Sequence, residues 1–137
     1  MITTNTYLNF NGNCEEAMNF YAKLLGGNIV MMMKAKGSPM EKDSPPEFLD
    51  KIMHARMTLG TNVLMASDAP PNRYSKPQGF SVSVSVEDPK EADRIYAGLA
   101  AGGIQTMPIT ETFWAIRFGA CVDRFGTPWM VNCEKEM

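Results

Sequence analysis

A chain of 137 residues has room for one domain with a substantial core, so any duplication inside it must share that core or build a common surface. Its 13 basic and 15 acidic side chains leave a formal charge of -2, which gives no electrostatic footprint for nucleic acid or for an anionic membrane. The opening MITTNTYLNFNG lacks the basic and apolar regions of a secretion signal, no run approaches the roughly 18 apolar residues of a spanning helix, and Cys14, Cys121 and Cys133 show no C-x-x-C spacing; the expected location is the cytoplasm, with reduced thiols.

The first strand is predicted near Thr4 to Asn11, where Thr6, Leu8 and Phe10 alternate with Asn5, Tyr7 and Asn9. A helix follows near Cys14 to Leu25, with Asn13 as its cap, an apolar stripe of Ala17, Phe20, Tyr21, Leu24 and Leu25, and Gly26-Gly27 as its stop. Strands are then predicted near Asn28 to Lys36, Ile52 to Leu59 and Asn62 to Ser67. Between the first two of these lies KGSPMEKDSPPE, Lys36 to Glu47, a long polar loop that reads as a mobile flap. The chain holds 12 methionines, and the consecutive Met31, Met32 and Met33 read as core filler at a strand edge. His54, the single histidine, opens the HARMTL strand with Arg56 and Thr58 on its face and is a candidate base or anion ligand.

After a proline-rich linker at about 68–79, the pattern starts again. FSVSVSV places Val82, Val84 and Val86 on one side of a strand near Phe80 to Val86, and Ser81, Ser83 and Ser85 on the other. Asp88 caps a helix near Pro89 to Ala101, Ala92, Ile95, Tyr96, Leu99 and Ala100 form its stripe, and Gly102-Gly103 end it. Cap, stripe and terminator all match the first helix at an offset of 75, while the strands match at 76. Strands near Gln105 to Thr110, Phe113 to Asp123 and Pro128 to Cys133 complete the second half, and FGTPWMVNCE reads against LGTNVLMASD of the first. The fold class is therefore α+β: two tandem β-α-β-β-β modules, about 1–67 and 80–137, in a single domain. Each helix covers one sheet face. If the half-sheets join into a curved, partly open sheet, the polar faces line one concave pocket. Its candidate ligand-binding residues are Asn5, Tyr7, Asn9, His54, Ser81, Ser83, Trp114, Arg117, Met130 and Asn132, with Trp114 as a stacking wall and Arg117 as a clamp for an anion. Regular alternation puts Trp114 and Arg117 on opposite faces, so a bulge is needed for both to meet one ligand. No nucleophile–base pair or carboxylate dyad can be assembled by spacing, and catalytic residues stay unassigned.

YLNFNGNCEEAMNFYAKLLGG, HARMTLGTNVLMASDAP and FWAIRFGACVDRFGTPWMVNCE resemble the vicinal oxygen chelate superfamily of glyoxalases, bleomycin-resistance proteins and dioxygenases, and within it the PhnB-like branch. The resemblance spans nearly the whole chain. In metal-dependent members it implies ligands from the first and last strand of each half, which fall here on Asn5, on Met65 or Leu64, on Ser81 and on Met130. Two of these are apolar and two offer only an amide and a hydroxyl, so no metal and no cofactor is expected. A demethylubiquinone methyltransferase label attached to some branch members finds no Gly-rich strand-to-helix turn in a Rossmann-like series to support it. The function implied is metal-independent binding of an unknown small molecule, as a homodimer, with catalysis open. The alternative is a lyase, isomerase or dioxygenase-type enzyme whose non-standard metal site recruits His54, Asp68 or Glu134.

Overall fold

The computed structural model describes residues 1–70 and 72–135; Pro71 of the expected linker and the last two residues of the expected second module lie outside the described residues. The chain divides into two compact units, Met1–Ser75 and Lys76–Met137. Each is a β-α-β-β-β module with a four-stranded mixed sheet and one helix, and neither sheet closes on itself.

In the first unit, strands β1 (Thr6–Phe10), β2 (Asn28–Lys34), β3 (Ile52–Leu59) and β4 (Asn62–Asp68) lie in the order β1-β4-β3-β2, with β1 parallel to β4. Helix α1 (Cys14–Leu25) covers one face. Against its buried Cys14, Ala17, Met18 and Tyr21 pack Leu8 and Phe10 of β1, Ala55 and Met57 of β3, and Leu64 and Ala66 of β4, all at most 6 % exposed. Burying each of the larger of these side chains contributes about 1.5–3 kcal/mol. Gly26 ends the helix in the left-handed region at φ 77°, where its N–H donates to Ala22 O.

Asn13 stands at the cap position, but its side chain makes no capping bond. The carboxylate of Asp68, at the far end of β4, does the work instead: Oδ1 accepts from the N–H groups of Gly12 (2.9 Å) and Cys14 (3.0 Å), and Oδ2 from that of Ile52 (2.9 Å). One buried acid thus ties the start of α1, the start of β3 and the end of β4. Its three N–H partners replace the water it loses, which is the condition for burying a carboxylate at all.

The Lys36–Asp50 connection contains 3-10 turns at Glu41–Asp43 and Pro46–Phe48. It is anchored where it meets the sheet, by Lys36 N to Leu49 O (2.9 Å) and Ser38 Oγ to Ala35 O (2.7 Å).

The second unit repeats the plan with β5 (Val82–Ser85), α2 (Pro89–Ala100), β6 (Ile104–Thr110), β7 (Ala115–Val122) and β8 (Pro128–Glu134), in the order β5-β8-β7-β6. Asp88 caps α2 through Lys90 N (2.9 Å), and Pro89 occupies the first helical position, as its fixed φ favours. The helix lies mainly over β7 and β8. Val84 of edge strand β5 pairs with buried Val131, which puts the β5 valines on the helix side of the sheet, yet they stay half-buried, whereas Leu8 and Phe10 in β1 are 2 % and 1 % exposed. Two glycines of this unit admit close neighbours: a Cβ on Gly119 would meet Tyr96 Cε1 at 2.7 Å, and one on Gly103 would run into Val122 O. Under Gly119, the Tyr96 hydroxyl donates across the irregular β6–β7 ladder, 2.9 Å from Met107 O and 3.1 Å from Ala120 O. Asp123 closes the β7–β8 turn: Oδ1 accepts from Phe125 N and Thr127 N, and Oδ2 from Trp129 Nε1, all at 2.9 Å.

Candidate functional site

Paired residues in neighbouring strands point to the same side of a sheet, so the register assigns the face opposite each helix. In the first unit Tyr7 pairs with Met65, Met65 with Arg56, and Arg56 with Met31. The next row contains Asn9 paired with Ser67, and His54 paired with Met33. Leu64, which pairs with Thr6, is 6 % exposed on the helix side, so Met65 is the β4 residue of the polar face. Asn5 precedes β1 and is exposed, one pleat from the Tyr7–Met65 pair.

Sequence reasoning placed Tyr7 and His54 in the site, and the structure brings them together. The Tyr7 hydroxyl is 3.3 Å from His54 Nδ1, and the rings stack at a centroid distance of 5.8 Å. Whichever group holds the shared proton, the contact fixes the imidazole and leaves Nε2 as its remaining polar atom. Around this pair, Tyr7, Met31 and Met33 are 40 %, 40 % and 41 % exposed. Large apolar side chains gathered on the outer face of a sheet are more informative than scattered ones, because single exposures are ordinary and contiguous ones are not. The three-methionine run is thus split by its pleat: Met32 pairs with the buried Ala55 and turns inward, while Met31 and Met33 turn outward.

In the second unit Ser83 pairs with Met130 and Met130 with Ala120; Ser85 pairs with Asn132 and Asn132 with Phe118. Met130 faces Ser83 directly, as Met65 faces Tyr7, and Ser81 lies one pleat away, as Asn5 does. Ser81 lines a cleft of about 380 Å³ with Phe80, Thr106, Ala120 and Pro128. At the other end of this face, Trp114 packs edge-on against Phe118 (5.3 Å between centroids) and Phe113 (4.8 Å), forming an aromatic wall. The Asn132 amide nitrogen donates to Glu134 Oε1 at 3.3 Å, and its Oδ1 is buried without a hydrogen-bond partner among the described residues.

Arg117 does not belong to this wall. It pairs with buried Cys133, and its Nε donates to Asp93 Oδ1 of α2 at 3.1 Å, which places the guanidinium on the helix side. The ladder does shift between Ala115 and Arg117, but the irregularity does not bring Arg117 round to Phe118's face. The residue that sequence reasoning left out is Arg56, exposed on the same face as His54 and Met31. Its signal is the period-2 H-A-R spacing, which puts Arg56 on His54's face already in the sequence.

Neither a nucleophile nor a metal set emerges from these groups. Burial pushes the Cys14 thiol up to about 12, with the Asp68 carboxylate adding to it, and burial with Asp123 pushes Cys121 to about 11; both stay protonated and unreactive near neutrality. Asp68 faces the helix with both oxygens engaged, so it cannot join His54 on the opposite face. Among the described residues, no three His, Cys, Asp or Glu side chains come together as a set able to hold a metal.

The sequence profile of the 3-demethylubiquinone-9 3-methyltransferase family matches residues 2–132. The chain belongs to this PhnB-like family. It is 44 % identical to protein PA1353 from Pseudomonas aeruginosa, covering 99 % of this chain and 100 % of that one, with a TM-score of 0.91. Protein YjdN of Escherichia coli K12 is 35 % identical over 95 % of this chain and 94 % of its own. A putative 3-demethylubiquinone-9 3-methyltransferase, PhnB protein, from Bacillus cereus is 27 % identical, covering 96 % and 99 % of the two chains, with a TM-score of 0.82. A glyoxylase/bleomycin resistance protein/dioxygenase domain from Frankia sp. EAN1pec, 16 % identical over 98 % of each chain at a TM-score of 0.64, shares the fold, which is that of the vicinal oxygen chelate superfamily.

The family's name speaks of methyl transfer, but the fold is not the doubly wound parallel sheet in which a nucleotide-type cofactor lies on a helix N-terminus. Here the N–H of Cys14 at the start of α1 is already taken by Asp68. The metal of the wider superfamily fits no better. In the first unit Asn5 and Met65 offer an amide and a thioether, and in the second Ser81 and Met130 offer a hydroxyl and a thioether, where a hard divalent ion needs carboxylate or imidazole.

Proposed function

We propose that this PhnB-like protein is a metal-independent binder of a small organic molecule, acting as a cytoplasmic homodimer, with catalysis open. The observation that carries the reading is the outer face of the first unit's sheet, where Tyr7 and His54 are fixed against each other among exposed Met31 and Met33 and half-buried Met65. Thioethers are flexible and polarizable, so such a face adapts to an organic body, while the tyrosine and histidine orient its polar group. The second unit adds Ser81, Ser83, Met130 and the Phe118–Trp114–Phe113 wall as a further candidate surface. Metal independence is supported by the poverty of donors at the four strand positions. A reduced compartment is supported by three buried free cysteines, and no helix among the described residues is long and apolar enough to cross a membrane. Dimerisation is supported by open edges at β2 and β6, which expose Val30, Met31, Ile104 and Met107.

Native mass spectrometry of the protein from its own host, paired with elemental analysis, tests the reading. The expected result is an organic adduct with less than stoichiometric Zn, Ni, Fe or Mn. Stoichiometric metal that survives replacement of His54 and Glu134 would overturn the metal-free part. A protein that takes up no organic molecule from its host's extract would overturn the binding part.

A further inference from the structure

Charge on the outer face of the first sheet is unbalanced. The four strands of that unit hold one carboxylate, Asp68, and it points to the helix with both oxygens bound. Lys34 pairs with buried Ile52 and belongs to the helix side as well. The outer face is left with Arg56 and His54, two residues apart on β3 and therefore on the same side of the pleat. Arg56 is exposed and makes no ion pair or hydrogen bond among the described residues, in contrast to Arg117, which is neutralised by Asp93. His54 has Nδ1 beside the Tyr7 hydroxyl, and when that hydroxyl donates to Nδ1 the ring carries its N–H at Nε2, the donor it can offer an anion. Met65 and Met31 flank Arg56 in its row, and Met33 flanks His54.

We infer that this face, read as the small-molecule site proposed above, takes an organic monoanion: a carboxylate or comparable oxyanion held by the Arg56 guanidinium and His54 Nε2, on a flat apolar body laid across Met31, Met33 and Met65. The guanidinium presents paired N–H donors that match two oxygens of one planar anion. One guanidinium with a single imidazole nitrogen beside it suits one small oxyanion group rather than a cluster of them. The thioethers give the body a surface without fixing its outline, which makes the anion the principal selector. Arg56 is in this sense a specificity-determining residue, and it takes the clamp role that the sequence suggested for Arg117.

Naphthalene-2-carboxylate and its methyl ester test this directly, because they share one body and differ in charge. Both are titrated into full-length protein carrying 13C-methyl methionine, with the Met31, Met33 and Met65 signals assigned by substitution. The carboxylate is expected to shift these three methyls and to bind about tenfold more tightly than the ester, the worth of one charge-assisted hydrogen-bonded contact. Arg56→Gln should remove that preference, Arg56→Lys should keep part of it, and the ester should be affected less than about twofold by either. Equal binding of both probes at these methyls, unchanged by Arg56→Gln, would overturn the anion assignment and leave the small-molecule reading standing. Binding that shifts only methyls of the second unit would overturn the assignment of the site to this face. Absence of binding by both probes would count against the two readings together.

Discussion

The Oδ1 of Asp68 lies 3.0 Å from the N–H of Cys14, so a residue at the end of the fourth strand caps the helix that follows the first. Replacing Asp68 by Ala strands three N–H groups, those of Cys14 and Ile52 buried and that of Gly12 partly so, and should cost about 3–5 kcal/mol. Asp68→Asn keeps an acceptor at one oxygen but turns an NH2 toward a donor, and should cost about 2 kcal/mol. Urea denaturation of both variants checks the order. Loss below about 0.5 kcal/mol in either would show that the cap is supplied elsewhere.

The two faces of β5 should respond unequally. Ser83→Val replaces an exposed hydroxyl and is expected to change stability by less than about 0.5 kcal/mol. Val84 pairs with fully buried Val131 but is itself only half-buried, so Val84→Ser should cost about 1 kcal/mol, the low end for lost apolar burial. Equal loss in the two variants would mean that the face assignment is wrong.

Much of this assignment was legible before any coordinates. Helix α1 runs from Cys14 to Leu25 as its stripe and the Gly26 terminator require, and the period-2 patterns of β1 and β5 named the correct sides. What the sequence did not carry was non-local. Asp68 is 54 residues from the helix it caps, and no local spacing betrays that. Arg117 was ambiguous because its face depends on the ladder shift beside Ala115 and on Asp93 across in α2. The half-burial of the β5 valines is a matter of tertiary packing, which alternation alone does not report. In the site, the Tyr7–His54 contact joins two residues picked separately, and Arg56 was passed over because an exposed strand arginine looks ordinary until its neighbours are known to lack a carboxylate.

Alkaline pH should unfold the protein in a window set by its thiols. The folded state holds Cys14 and Cys121 protonated up to about 12 and about 11, while a thiol in the unfolded chain ionises near 9.0. Their contribution is therefore fully present below pH 9 and is lost as pH rises from there through the folded values, because unfolding then releases protons. Cys14→Ala with Cys121→Ala should flatten the decline in stability measured between pH 9 and pH 11. At neutral pH, labelling of these thiols by a disulfide reagent should follow the opening of the fold and accelerate in urea. Rapid labelling of both in native conditions would contradict their burial.

Gly119 and Tyr96 form one packed unit. Gly119→Ala should cost about 1–3 kcal/mol, since the new methyl meets the Tyr96 ring at 2.7 Å. In a Tyr96→Leu background the same change should cost less, giving a coupling of at least about 0.5 kcal/mol in the double-mutant cycle. Additive losses would mean that the backbone, not the ring, sets the need for glycine there.

Sedimentation equilibrium at micromolar concentration should return a homodimer of the 15.2 kDa chain. A lysine at Val30 or Met31, both exposed on edge strand β2, should weaken it if that edge takes part. A monomer at that concentration would reject the dimer.

The two buried aspartates also differ in when they can act. Asp123 gathers donors 2, 4 and 6 residues away, so its turn can close before the rest of the second unit is in place. Asp68 must wait for partners 16, 54 and 56 residues distant, and the entropy of closing those loops has to be met first. Substitutions at Asp123 should accordingly slow refolding, while those at Asp68 should leave the refolding rate nearly unchanged and speed unfolding. The first unit is then fastened last, by the acid that holds its helix in place.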